Sequence, residues 1–236
     1  MWLQRFLLVI LLLPAMAFAQ PLGKLSHADG QIKIIRQGQV VPEKVTSQAL
    51  PLALFPGDKV QSSSGSEARI RLADNSLILL QASSLLILLS EDHQKLAQGR
   101  VLYNVRKRGG LKGLKVSTRS ATIGVKGTQF LVQQDDQQQK VLLNEGVVEL
   151  VSDGDLFLKP IQDQMQAFEN YKQDINAEFD EYQRQMNQEF QEYVKSLTMA
   201  AGQGFAIGDQ QSLSKIEFSE QDKSDFSRLN ELAAEQ

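Results

Sequence analysis

The sequence predicts a mainly β fold of short strands into which one long α-helix is inserted, and three observations carry that expectation. Residues 67–73 alternate, with Ala68, Ile70 and Leu72 on one side and Arg69 and Arg71 on the other. That is the period-two signature of a strand with one buried face. Short apolar stretches of this kind recur through the first two thirds of the chain, separated by polar turns such as 62–66 and Asp74-Asn75; that density of strands and turns suits an all-β core. From Ile161 to Ala201 there is neither Gly nor Pro, and apolar residues recur every third or fourth position, the spacing of a helix.

Taken in order, the chain opens on Arg5, an apolar run over 6–13 and a small-x-small site at Ala17-Phe18-Ala19. These are the parts of a cleaved secretory signal (residues 1–19). The run is well short of the roughly 20 residues that span a bilayer. The mature chain is therefore expected in the periplasm, not spanning the membrane after cleavage. There is no cysteine, which excludes disulfides, so stability must come from burial. The net charge of −3 hides an asymmetry. Residues 20–159 carry 18 basic and 13 acidic side chains, residues 160–197 carry 3 and 8, and residues 198–236 carry 3 and 7. A mildly basic front precedes an acidic back.

Within a β domain drawn over 20–158, residues 31–36 read as a strand between Asp29-Gly30 and Gln37-Gly38. Residues 40–54 read as a loop with an extended piece. Pro56-Gly57-Asp58 punctuates the chain before a short strand at 59–61, and Asp74-Asn75 turns it into 76–81. Residues 85–89 are apolar on both faces and read as a central strand. Gly99 starts the next strand, 100–105, in which Val101, Tyr103 and Val105 share a face. Strands at 114–118 and 129–133 flank a tight passage punctuated by Gly124 and Gly127, where glycine permits backbone conformations closed to other residues. Residues 141–151 form a strand pair across Asn144-Glu145-Gly146.

The order Pro56-Gly57-Asp58, alternating strand, Asp74-Asn75-Ser76, Gln98-Gly99-Arg100-Val101, the 120–132 passage and Asn144-Glu145-Gly146-Val147-Val148 resembles the FecR-type periplasmic domain. The resemblance covers about residues 30–151 and is best at Val125-Lys126-Gly127-Thr128-Gln129-Phe130. Lys126 stands where the family usually has Arg, and Ser120 where Pro is frequent. The resemblance implies a FecR-like β-sandwich or solenoid-like core and transfers no active site. Family regulators of iron uptake relay a signal through an N-terminal cytoplasmic segment and a membrane span. The expectation here is a stand-alone exported relative without those parts.

The insertion, drawn over 159–201, carries Ile161, Met165, Phe168, Tyr171, Ile175, Phe179, Tyr182, Met186, Phe190, Tyr193 and Leu197 at a mean spacing of about 3.6 residues. Within it Phe-x-x-Tyr recurs every eleven residues, at Phe168/Tyr171, Phe179/Tyr182 and Phe190/Tyr193, which keeps one narrow stripe in line. About 37 helical residues would make a rod on the order of 55 Å long. One reading packs this stripe across an open face of the β core. Another makes it a coiled-coil-like or partner-helix interface for self-association or for an envelope protein, suited by aromatics with one polar tip. A membrane-surface helix would want a basic polar face, whereas this one is acidic. After the turn Ala201-Gly202-Gln203, strands return to the core over 202–218, and residues 219–236 close as an acidic helix on Phe226, Leu229 and Leu232.

Little in the chain points to chemistry. His27 and His93, the two histidines, stand apart in polar stretches and read as surface residues. No Gly-x-Ser-x-Gly precedes a helix. Gly124-Val125-Lys126-Gly127-Thr128 lacks the spacing of a phosphate loop and reads as a turn. Glu91-Asp92 and Asp135-Asp136 read as solvated turns. No catalytic, cofactor or metal residue is assigned. Arg106, Lys107, Arg108, Lys112 and Lys115, with no acidic residue among them, read either as a solubilising hairpin loop or as a grip for an anion. That anion would be lipopolysaccharide, an acidic glycan or the chain's own acidic helix. Nucleic acid is disfavoured by the export signal and the absence of interleaved aromatics. The expected function is a non-enzymatic interaction or scaffold module of the envelope, with the domain and the aromatic stripe as binding surfaces. Alternatives are a binding module for an anionic envelope polymer, or an accessory component of envelope signalling.

Overall fold

The computed structural model describes residues 20–106, 113–160 and 191–235. The first segment holds β1 (Gly23–Asp29), β2 (Ile32–Ile35), β3 (Glu43–Lys44), β4 (Leu52–Leu54), β5 (Lys59–Ser62), β6 (Glu67–Leu72), β7 (Leu77–Leu80), β8 (Leu85–Ser90) and β9 (His93–Asn104). The second holds β10 (Leu114–Ser117), β11 (Ala121–Val125), β12 (Gln129–Gln134), β13 (Gln139–Glu145), β14 (Val147–Ser152) and β15 (Phe157–Pro160). The third holds β16 (Gln191–Val194), β17 (Ser196–Ala200), β18 (Gly204–Ile207), β19 (Leu213–Ile216) and one helix, α1 (Glu220–Ala234).

The fold is mainly β, and its sheets do not close. Sheet I runs β4-β1-β6-β7-β9-β12-β13-β18-β19, and sheet II runs β3-β2-β5-β8-β9-β10-β11-β14-β17. β9 belongs to both. Its first half pairs with β8 and β10 in sheet II, and the half from Gly99 onward pairs with β7 and β12 in sheet I. Gly99, at φ +95°, lets the strand pass from one sheet to the other. A Cβ there would collide with the side chain and backbone of Ser84. Ser84 Oγ in turn accepts the Arg100 N–H at 2.9 Å. The sequence reading started a strand at this glycine; the strand has already run six residues when it arrives.

Between the sheets lies the main core, with Leu25, Ile34, Val60, Ile70, Val101, Val132 and Leu150 fully buried. Tyr103 and Phe130 stack there with centroids 4.6 Å apart and rings 4° from parallel. Burial pushes the Tyr103 phenol far above its ordinary pKa, and its hydroxyl has no hydrogen-bond partner among the described residues. A second core lies on the outer side of sheet I, where Leu77, Leu79, Leu102, Leu131 and Leu142 meet Phe226, Leu229 and Leu232 of α1. The helical face expected from the sequence is thus the face that is buried. It also explains why every residue of β7 is buried: one side faces the other sheet and one faces the helix.

α1 is held by charge as well as by apolar contact. Ser219 caps it: its hydroxyl accepts the Asp222 N–H while the Asp222 carboxylate accepts the Ser219 N–H. Arg100 Nη2 lies 2.9 Å from Asp222 Oδ1 and 2.7 Å from Asp225 Oδ2, and Lys140 Nζ lies 2.8 Å from Asp222 Oδ2. The rest of the Arg100 guanidinium donates to Gln81 at 2.6 Å and Gln133 at 3.0 Å. Burial works to raise the Asp222 carboxyl, but hydrogen bonds from Lys140, Ser219 and Arg100 outweigh it and hold the group well below the usual carboxylate range. Further along the helix Arg228 makes a bidentate pair with Glu67, at 2.6 and 2.5 Å.

The inserted helix drawn over 159–201 is not found at its described ends. Residues 161–190 lie outside the described residues. Lys159 and Pro160 are in β15, paired antiparallel with Glu192 and Gln191 of β16. Residues 157–160, 191–194 and 196–200 are therefore strand and not helix. Leu197 and Met199, read as part of the helix, sit in β17 opposite Leu150 and Val148. The core strands therefore return at Ser196 and not at 202. The open edge of β14 needs a partner for its backbone groups, and that non-local demand overrides a local helical period.

Two outcomes follow from these contacts. Gly99→Ala should lower stability to urea by ~3 kcal/mol or more. Gly124→Ala, at an ordinary φ with Glu149 O 3.8 Å from the new methyl, should change it by less than about 1 kcal/mol. Asp222→Asn should cost about 2–4 kcal/mol at pH 7 by leaving Arg100 and Lys140 underpaired. Because the folded Asp222 ionises below its unfolded value of about 3.9, its contribution is complete above roughly pH 5 and is lost as the pH falls. The variant's urea midpoint should accordingly depend less on pH than the parent's between about pH 5 and 2.

Candidate functional site

Several residues of the sequence motif are spent on structure. Asp58, buried beside Gly57, accepts the Phe55 N–H at 2.8 Å and Arg36 Nη1 at 2.6 Å. Asp74 accepts the Ser76 N–H at 2.9 Å around Asn75, which holds φ +64°. Ser76 Oγ then accepts the Arg106 N–H at 3.1 Å. Thr118 Oγ1 donates to Gln139 Oε1 at 2.7 Å and accepts the Ala121 N–H at 3.1 Å. The passage expected to be a tight turn contains a strand of its own, β11, with Gly124 inside it. The turn is made by Gly127 alone, at φ +66°. Fixed in this way, these residues position strands.

His93 and Ser117 do come together. His93 Nε2 is 2.8 Å from Ser117 Oγ, which is 3.0 Å from Thr122 Oγ1, which donates to Asp153 at 3.1 Å. The sequence reading placed His93 in a turn; it opens β9 instead. The arrangement resembles a nucleophile beside a base, yet it lies along the outward face of sheet II. The neighbouring backbone N–H groups of β10 and β11 are committed to pairing with one another, so nothing is aimed at a developing oxyanion. Among the described residues no group of three or more His, Cys, Asp or Glu could hold a metal ion.

Of the residues singled out for binding, Arg106, Lys115 and Tyr193 are described; Lys107, Arg108, Lys112, Phe168, Tyr171, Phe179, Tyr182 and Phe190 lie outside the described residues. Arg106 follows the sheet I end of β9 and lines a shallow recess with Ala233 and Ala234 of α1. Lys115 sits opposite His93, at the sheet II end of the same strand. The connection is therefore no hairpin: β10 runs parallel to β9, which requires a crossover. Its two described ends are not gathered into one site. Tyr193 is 68% exposed on the β15–β16 ribbon, opposite Leu158.

What the sequence reading missed is the face that strand pairing assembles on sheet II. Lys44 lies opposite Lys33, which lies opposite Gln61. In the next row Ile35, Lys59, Ile87, Lys95 and Ser117 line up across β2, β5, β8, β9 and β10. Directly opposite residues point to the same side of a sheet, so Lys33, Lys44, Lys59, Lys95 and Lys115 share the outward face. Leu85, Ile87 and Leu89 of β8, read from the sequence as buried on both sides, are half-buried or exposed there. No described element covers them. The signal in the sequence was a lysine at an outward position of β2, β3, β5, β9 and β10, invisible until the strands are placed in register.

Comparison with known proteins bears on the domain. Residues 58–149 match the family described as FecR protein. No curated protein matches the chain. Two crystal structures of a protein proposed to be an anti-sigma factor, from Parabacteroides distasonis ATCC 8503, resemble it with TM-scores of 0.47 at 15% identity. Each likeness covers 72% of this chain, which spans less than two thirds of those proteins, 63% and 64%. No described helix is long and apolar enough to cross a membrane. The motif order read from residues 30–151 thus has its counterpart in a known family, whose model matches residues 58–149.

Proposed function

We propose that this chain is an exported, non-enzymatic interaction module of the bacterial envelope, working in the periplasm with its FecR domain as a rigid scaffold. The observation that carries this reading is the consumption of the motif's polar groups in structural contacts, above all Asp58 by Arg36 and Phe55 and Thr118 by Gln139 and Ala121. A scaffold needs such locks, whereas an enzyme needs some of these groups free. The FecR domain also supports a place in envelope signalling, as an accessory component. We assign partner binding or self-association to residues 161–190, with Phe168, Tyr171, Phe179, Tyr182 and Phe190, together with Tyr193.

The pairing of Pro160 with Gln191 makes this testable without disturbing the core. Replacing 161–190 by Asn-Gly closes β15 and β16 with a two-residue hairpin turn. The shortened chain should unfold within a few degrees of the parent, about what a 1 kcal/mol change produces. It should also lose any self-association seen by light scattering and any envelope protein cross-linked to the parent. A shortened chain that folds and keeps both the parent's mass and its cross-linked partner would refute the assignment.

A second reading, binding of an anionic envelope polymer or lipopolysaccharide through 106–115, is favoured by the position of Lys115 on the lysine-bearing face. Exchange of Arg106, Lys107, Arg108, Lys112 and Lys115 for Ser should abolish salt-sensitive retention on immobilised lipopolysaccharide. Unchanged retention would remove that reading.

A further inference from the structure

We infer that the outward face of sheet II, over β3, β2, β5, β8 and β9, docks on a bilayer surface bearing anionic headgroups. The two sheets are treated unequally. The outward side of sheet I is capped by α1, while the outward side of sheet II is covered by no described element. Charge is divided the same way. Arg36, Arg100 and Arg228 are taken up by Asp58, by Asp222 with Asp225, and by Glu67. Among the described residues, Lys33, Lys44, Lys59 and Lys95 have no ion-pair partner. Lysine is a compact, strongly hydrated charge on a flexible stem, fitted to a diffuse anionic surface and not to bidentate recognition of one group.

The residues between the lysines narrow the partner. Ile87 lies directly between Lys59 and Lys95 in the row, with Ile35 beyond Lys59 and Leu85 and Leu89 above and below on β8. Leu89 is 42% exposed. Lysine stems can lie along such aliphatic surface while their ammonium groups reach phosphate. Protein interfaces draw their binding energy from Trp, Tyr and Arg, and this face has none of the three. Lysines interleaved with aliphatic residues on an open sheet match a headgroup layer, where basic residues meet phosphate and apolar ones meet the acyl boundary. Acidic side chains stand at the margins: Glu43 on β3, Glu91 and Asp92 in the turn before β9, Glu149 on β14, which β10 and β11 separate from β9, and Asp153 just after β14, bonded to Thr122 of β11. The proposal does not draw on residues 106–112 or 161–190.

Co-sedimentation of the chain from residue 20 with vesicles of phosphatidylcholine, with or without phosphatidylglycerol, tests it. Binding is expected only with phosphatidylglycerol, and should vanish between about 0.1 M and 1 M salt as screening shortens from ~10 to ~3 Å. Each lysine near such a surface contributes about a fivefold factor. The combined variant Lys33→Gln, Lys44→Gln, Lys59→Gln, Lys95→Gln should therefore lose more than about a hundredfold in partition. Lys24→Gln with Lys215→Gln, on the other sheet, should bind as the parent does. These are exposed or half-exposed positions, and an unchanged thermal transition shows that the variants fold. Binding to neutral vesicles, undiminished binding of the fourfold variant, or binding to soluble polyglutamate without binding to vesicles would each overturn the proposal. The last outcome would mark an acidic protein as the partner.

Discussion

Everything in this molecule turns on one strand that serves two sheets. β9 passes between them at Gly99, and the next residue, Arg100, reaches the opposite way to hold α1 through Asp222 and Asp225. Two adjacent residues thus set where the layers join and where the helix lies. The first requires the absence of a side chain, because Ser84 fills the space. The second requires a long, permanently charged one that can satisfy two carboxylates and two amides at once.

That latch is a buried ionic network, which by itself is weak evidence for stability, since desolvation offsets much of the attraction. Its value here is positional. The apolar stripe of Phe226, Leu229 and Leu232 would tolerate sliding along a leucine-rich sheet, but Asp222 can meet Arg100, Lys140 and the Ser219 cap in one register only. α1 covers sheet I in this register, and no described element covers the outward side of sheet II. The asymmetry between a helix-capped layer and an open, lysine-bearing layer is therefore a consequence of packing.

The same division runs through the basic residues. Arginines sit where the architecture needs planar, multidentate donors, as at Glu67 and around Arg100. Lysines occupy the outward positions of sheet II. Conformationally demanding turns are handled as economically: Asn75 stands at φ +64° and Gly127 at φ +66°. The FecR motif, viewed in three dimensions, is a set of locks on strand ends.

Much of this was legible in one dimension. Residues 67–72 alternate and form β6; residues 139–152 break at Gly146 and form β13 and β14; Ser219 with Asp222 and the Phe226, Leu229, Leu232 spacing announce α1. Each depends on neighbours within a few residues, and short-range periodicity records such neighbours. The continuity of β9 through a glycine, the strand identity of residues 191–200, the parallel return of β10 and the lysine face of sheet II depend on which strands pair. A strand's backbone must find partners wherever the chain brings them, and residues far apart share a face only once their register is fixed. The sequence alone determined the locally periodic strands and α1; only the tertiary pairing decided that residues 191–194 and 196–200 are strand and which charges stand together.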